Sequence, residues 1–155
     1  MIKCNSTSRH TGGVIIYIMN DISYQVISIE AEKKVWFLTV RIKLEIYIDL
    51  TVIYRSPSSN PKDFFLILDN YITTKLKYEN NNIIVGDINI NTNRMTKTAK
   101  EYYSILAQNN FKQIVNEYTR YDKKIDHFRL LIMFALIMIE LHIKLIRKMK
   151  LVTIL

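Results

Sequence analysis

Apolar residues along this chain alternate or run in short blocks up to Tyr54, then recur at helical spacing. Gly12-Gly13 opens the run Val14-Ile15-Ile16-Tyr17-Ile18-Met19, which predicts a buried strand entered through a glycine turn. Asn20-Asp21 predicts a turn, and the alternation from Tyr24 to Ile29 a second strand. Val35 to Ile42 predicts a third strand. Ile46 to Tyr54 predicts a fourth, apolar enough to lie centrally in a sheet. With short polar breaks between them, the four are expected to form an antiparallel meander.

Arg55-Ser56-Pro57-Ser58-Ser59-Asn60-Pro61 then breaks the pattern and predicts a loop. Ser59 or Asn60 is placed to cap a helix, and Pro61 suits its first turn. Phe64, Phe65, Leu68, Tyr71, Ile72 and Leu76 recur at three- and four-residue steps, so an amphipathic helix is expected over 61–77. Asn80-Asn81-Asn82 predicts a turn, and Ile83-Ile84-Val85 a short apolar strand ending in Gly86-Asp87-Ile88-Asn89. A second helix is expected over about 97–109, with Tyr102, Tyr103, Leu106 and Ala107 on one face, and a short strand at 125–128. Strands first, then helix, strand, helix and strand, make a mixed α/β domain.

The tail differs. Leu130 to Ile139 is ten uninterrupted apolar residues, followed by Glu140, His142, Lys144 and the basic Arg147-Lys148-Met149-Lys150. A membrane span needs roughly 20 apolar residues, and extension to Ile146 approaches that length only by burying Glu140, His142 and Lys144. Residues 129–155 therefore stand apart as a divergent apolar and basic tail, helical over 129–150 and poorly packed. A packed helix and membrane contact through 130–146 are the alternatives.

At 155 residues the chain is long enough for one hydrophobic core. A net charge of +8 favours polyanions as partners. The single Cys4 cannot pair within the chain, and no Cys/His cluster has zinc spacing, which fits a reducing compartment. Met1 to Ser6 lacks the apolar stretch of a signal peptide.

Gly86-Asp87-Ile88-Asn89 carries the most chemistry. Residues two apart on a strand share a face, so Asp87 and Asn89 are expected to project together from the strand end. A carboxylate there can hold Mg²⁺ or polarise a water, and an amide can hold that water or a phosphate oxygen without adding repulsive charge. The alternative is an Asx turn closing the strand. Tyr54 and Arg55 end the preceding central strand, where a phenol and a guanidinium suit phosphate contact; equally, Tyr54 could be packed and Arg55 solvated. Asp126, beside His127, is a third candidate, with surface placement its alternative.

In order, Arg9-His10-Thr11-Gly12-Gly13-Val14, Tyr54-Arg55-Ser56-Pro57-Ser58-Ser59-Asn60, Gly86-Asp87-Ile88-Asn89, Thr119-Arg120 and Ile125-Asp126 resemble the endonuclease domain of non-LTR retrotransposons, a DNase I-like member of the endonuclease/exonuclease/phosphatase family. The resemblance covers residues 9–128 as a partial domain. It implies a four-layered α/β sandwich, here truncated in its N-terminal strands and its C-terminal strand. It also implies phosphodiester hydrolysis with Mg²⁺ or Mn²⁺, DNA as partner and a nuclear location. Asp87 would activate the water or sit at the metal, Asn89 would orient water and phosphate at the same metal, and Tyr54 would contact a phosphate oxygen. Asp126 would orient the family's catalytic histidine, and Arg55, Ser58 and Asn60 would contact DNA.

The departures bear on activity. The family's metal-binding Glu lies before the Gly-Gly-Val strand and is expected to be missing here; Glu30 and Glu45 follow that strand and substitute poorly. No Ser-Asp-His motif occurs, Ser56 replaces a usual proline, and Thr119 to Asp126 is shorter than the family pattern. Weak or absent nuclease activity is therefore expected. A non-catalytic nucleic-acid-binding remnant, or a decayed open reading frame with a membrane-associating tail, is the alternative.

The charge yields a first prediction. DNA binding should be sequence-independent and should weaken tens-fold or more from about 50 to about 200 mM salt, because each neutralised phosphate adds about −0.9 to the log–log slope. Fluorescence anisotropy with unrelated duplexes measures it, and an affinity independent of salt would remove nucleic acid as a partner.

Overall fold

The computed structural model describes residues 2–5, 12–76, 80–115, 120–122, 127–129, 132–135 and 150–152. The chain runs through β1 (Ile2–Asn5), β2 (Gly13–Tyr17), β3 (Ser23–Glu32), β4 (Val35–Lys43), β5 (Tyr47–Arg55) and α1 (Pro61–Lys75). It continues through β6 (Asn81–Asp87), α2 (Lys97–Gln108), β7 (Arg120–Asp122), β8 (His127–Arg129), β9 (Ile132–Ala135) and β10 (Lys150–Val152). A five-stranded sheet has the order β3-β4-β5-β6-β9, a three-stranded sheet the order β1-β2-β10, and β7 pairs with β8.

β3, β4 and β5 form the antiparallel meander that their alternation predicts. The first expected strand, β2, does not join it and pairs instead with β1 and β10. Val14, Ile15 and Ile16 are all buried, and the run sits in the middle of its sheet, with β1 on one side and β10 on the other, rather than at a sheet edge. Val14 and Ile16 pack into one apolar cluster with Trp36, Leu38, Val52 and Val85, between the two larger sheets. Ile18 and Ile22, in the connection that carries the chain across, pack against the same cluster.

The other face of the five-stranded sheet is covered by the helices. Asn60 caps α1 by accepting from the Lys62 N–H at 2.9 Å, Pro61 opens the first turn, and Phe64, Phe65, Leu68, Tyr71 and Ile72 are buried. Thr96 caps α2 by accepting from the Ala99 N–H, and Ala99, Tyr102 and Leu106 are buried. Ala107, expected on that face, is exposed, because the buried stripe runs through Ala99, Tyr102 and Leu106 and Ala107 falls off it. Asn109 Nδ2 donates to Asp69 Oδ1 at 2.7 Å and joins the two helices. Helices, five-stranded sheet and three-stranded sheet thus make three layers of the described residues, an α/β sandwich.

The hydroxyls between α1 and the sheet are paired. Thr39 Oγ1 lies 2.7 Å from both Thr51 Oγ1 and the Tyr71 hydroxyl, which also meets Ser28 Oγ and so fixes α1 to the sheet. At the far end of β5, Arg41 grips Asp49 with two hydrogen bonds of 2.7 and 2.9 Å, and Asn80 Nδ2 adds a third donor at 2.8 Å. This bond to Asp49 raises the Arg41 pKa above its ordinary value.

The tail departs from the helix expected over 129–150. Ile132–Ala135 is a strand, β9, antiparallel to β6, and Lys150–Val152 is a strand, β10, antiparallel to β2. An apolar run without a polar face has no helical period to read, and a strand offers backbone partners to the otherwise open edges of β6 and β2. Most of the stretch considered for membrane contact, 130–146, lies outside the described residues. Among the described residues no helix is long and apolar enough to cross a membrane.

The Arg41–Asp49 pair is asymmetric, since the Asp49 side chain is 1% exposed and that of Arg41 26%. Arg41→Met should cost about 3–5 kcal/mol by stranding a buried charge, whereas Asp49→Asn should cost only about 1–2 kcal/mol, because Arg41 reaches water. Urea unfolding compares the two, and equal losses would contradict this account.

Candidate active site

β5 and β6 run parallel with Tyr54 opposite Asp87, so the carboxyl ends of the two strands bring these side chains to one rim. Val52 and Val85, two residues earlier on each strand, lie in the cluster between the sheets; Tyr54 and Asp87 share that face. The Tyr54 ring is 6% exposed and stacks on Trp36, its register partner on β4, at 5.5 Å between centroids and 25° between planes. Gly12 (φ 86°) lies so close to the ring that an added Cβ would overlap it. That contact gives the first glycine of the Gly12-Gly13 pair a packing reason.

Gly86 is the second glycine whose environment decides its identity. Its φ is 145°, and an added Cβ would overlap the carbonyl oxygen of Ile53, its partner on β5. One step further in the same register, Asp87 lies opposite Tyr54.

Asp87 is half-buried, and its Oδ1 accepts the Asn89 N–H at 2.9 Å. That is an Asx turn, and it puts Asn89 into the left-handed region at φ 51°. Asn89 is thus outside the strand, not the next outward residue on it as the spacing predicts. The turn still sets it beside Asp87, and its Nδ2 donates to the Arg55 carbonyl at 2.7 Å.

Arg55 is placed inside, away from the surface that a DNA contact requires. It is 3% exposed. Nη1 donates to the carbonyls of Ile88 (3.0 Å) and Asn89 (3.2 Å), Nη2 donates to the Ser59 carbonyl, and the guanidinium lies over the Phe64 ring. Burial lowers its pKa, and the Asp87 charge opposes that shift. Ser58 is exposed, within hydrogen-bond distance of Ser56 Oγ and Lys34 Nζ. Asn60 is exposed, with its carbonyl oxygen spent on the helix cap.

Glu30 pairs with Lys75 of α1 at 2.7 Å, on the helix-covered face and so opposite Asp87. Glu45, in the β4–β5 turn, is at the other end of the sheet. Asp126 and Arg9 to Thr11 lie outside the described residues. Among the described residues no three His, Cys, Asp or Glu side chains come together. The stacking of Trp36 on Tyr54 was within reach of the sequence, because a short β4–β5 turn pairs the two positions. The inward turn of Arg55 had no sequence signal.

Two sheets packed face to face with helices on one outer side make a fold that solved DNase I-like domains share. The endonuclease domain of TRAS1, a telomere-specific non-LTR retrotransposon, shares it with a TM-score of 0.56 and 10% identity. The match covers 76% of this chain and 57% of that domain, so the chain spans little more than half its length. An endonuclease/exonuclease/phosphatase family protein from Leptotrichia buccalis C-1013-b matches with a TM-score of 0.44 and 18% identity, over 64% of this chain and 40% of that one. No protein-family model and no curated protein matches the sequence.

Gly86→Ala should destabilise the fold by about 3 kcal/mol or more, through overlap with Ile53 and a side chain in a glycine conformation. Denaturant titration checks this, and a loss below about 1 kcal/mol would mean the strands do not approach so closely.

Proposed function

We propose that this chain acts on the phosphodiester backbone of DNA as an endonuclease domain of the non-LTR retrotransposon kind, working on nuclear DNA. The observation that carries this reading is the meeting of Tyr54, Asp87 and Asn89 at the ends of the parallel strands β5 and β6. Crevices at the carboxyl ends of parallel strands are where α/β sheets bind ligands. The fold shared with a retrotransposon endonuclease domain supports it.

The donor set fits Mg²⁺ or Mn²⁺. Asp87 spends one oxygen on the Asn89 N–H and keeps the other, and the Asn89 amide adds a hard oxygen while its nitrogen is occupied. Mg²⁺ is commonly held by one or two carboxylates with waters and substrate phosphate completing its shell. When bound, the ion would polarise a phosphoryl oxygen and acidify water. Where its free oxygen does not hold the ion, Asp87 would instead receive the proton of the attacking water, and Asn89 would orient that water and the phosphate. Tyr54, 6% exposed with its ring held by Trp36, would reach a phosphate oxygen only through the edge it leaves at the rim, Asp126 would orient a histidine only where a complete site supplies one, and Ser58 with Lys34 contacts the backbone further along the rim.

Asp87 as the one carboxylate at this rim among the described residues makes for slow turnover. A second reading, nucleic-acid binding without cleavage, is favoured by the absence of any group of three His, Cys, Asp or Glu side chains among the described residues together with a net charge of +8.

Nicking of supercoiled plasmid with Mg²⁺ or Mn²⁺ decides between them. We expect relaxed circles at a rate at least about 10²-fold below that of a complete nuclease, since each missing electrostatic group costs about 10²–10³-fold. Asp87→Ala should abolish the band and leave duplex binding intact. Nicking that survives Asp87→Ala overturns the assignment, and binding without any nicking establishes the second reading.

A further inference from the structure

Arg55 directly follows Tyr54, but its side chain points to the helix-covered face and works from behind the candidate site. Its Nη1 holds the carbonyls of Ile88 and Asn89, and its Nη2 holds the Ser59 carbonyl in the loop that leads into α1. The contact is reciprocal, because Asn89 Nδ2 donates to the Arg55 carbonyl while the Asn89 N–H donates to Asp87. A closed ring of hydrogen bonds therefore runs from the guanidinium through the turn and back to the Arg55 backbone.

We propose that Arg55 is the positioning residue of the Asp87–Asn89 turn, holding Asn89 in its left-handed conformation and so setting where the Asp87 carboxylate and the Asn89 amide meet substrate. The proposal rests on the reading of these two residues given above. The guanidinium does not contact DNA: it is 3% exposed, and both terminal nitrogens are spent on backbone carbonyls.

Arginine suits the task because the carbonyls belong to two separate loops, which a planar fork reaches from one rigid group. A lysine ammonium is a point donor on a flexible stem and would hold one loop or the other. Stability alone does not call for a guanidinium here. An apolar side chain against Phe64 would fill the space without desolvating a charge, and the Arg55 Nε–H is buried without a partner among the described residues. What an apolar residue could not do is tether Ile88, Asn89 and Ser59 together.

The test is Arg55→Lys in the full chain, followed by amide exchange in NMR and by plasmid nicking. Exchange protection along β4 and β5 should stay within about twofold of the parent, while the Asn89 N–H should lose about tenfold. The kcat for nicking should fall about tenfold or more with KM for DNA unchanged, as expected when the reacting groups are displaced while the substrate is still held. Unchanged Asn89 protection, or a raised KM at constant kcat, overturns the proposal.

The unsubstituted chain gives an independent reading should Arg55→Lys not fold. Its Arg55 guanidinium protons should exchange slowly, and their resonances should not move when a short DNA duplex is added. Fast exchange, or a shift on adding DNA, overturns the proposal. A parent that does not nick DNA sinks the proposed function, while Asn89 exchange still decides the role of Arg55.

Discussion

Strand β5 has no side to give to water. Leu50, Val52 and Tyr54 face the second sheet, while Thr51, Ile53 and Arg55 lie under the helices, and all of them are buried. A strand covered on both faces must satisfy any polar group it carries without solvent. Asp49, Thr51 and the terminal nitrogens of Arg55 do so in three ways: a bidentate arginine with an amide, a hydroxyl chain to Tyr71, and carbonyls from two loops. Each solution fixes a neighbour, namely β4, α1 and the turn after β6. The polar residues of β5 therefore orient the layers whose apolar residues supply the cohesion.

The rim follows from the same strand. α1 returns the chain so that β6 runs parallel to β5, and parallel neighbours end together. Gly86 permits an approach that any side chain would block, and Asp87 comes to rest beside Tyr54. Trp36 and Gly12 hold the tyrosine ring from two further elements, one of them near the start of the chain. Residues between 18 and 42 positions apart in the chain are thus held by stacking and steric fit, which vary little with salt or pH.

Expectations failed where local pattern had to stand in for long-range partners. The β2 run has the apolar content of a sheet strand, and nothing in its spacing says which sheet; that depended on β1 and β10. The apolar tail has no polar face, so helix and buried strand could not be told apart by period, and the open edge of β6 settled it for Ile132–Ala135. Asn89 has the spacing of a strand residue, but the Asp87 side chain captured its N–H and turned the backbone.

Local features were legible from the residues alone: the β3–β5 meander from its alternation, α1 with its Asn60–Pro61 start, α2 near its observed ends, and the fall of Asp87 at the end of an apolar strand. These depend on spacing, capping and turn chemistry within a few residues. It took the packed layers to make Tyr54 and Asp87 neighbours on one face, to put Glu30 on the other, and to turn Arg55 inward. The physical reason is that a side chain at a strand end can face solvent, a neighbouring sheet or a helix. Which one it meets is set by packing between layers remote in sequence.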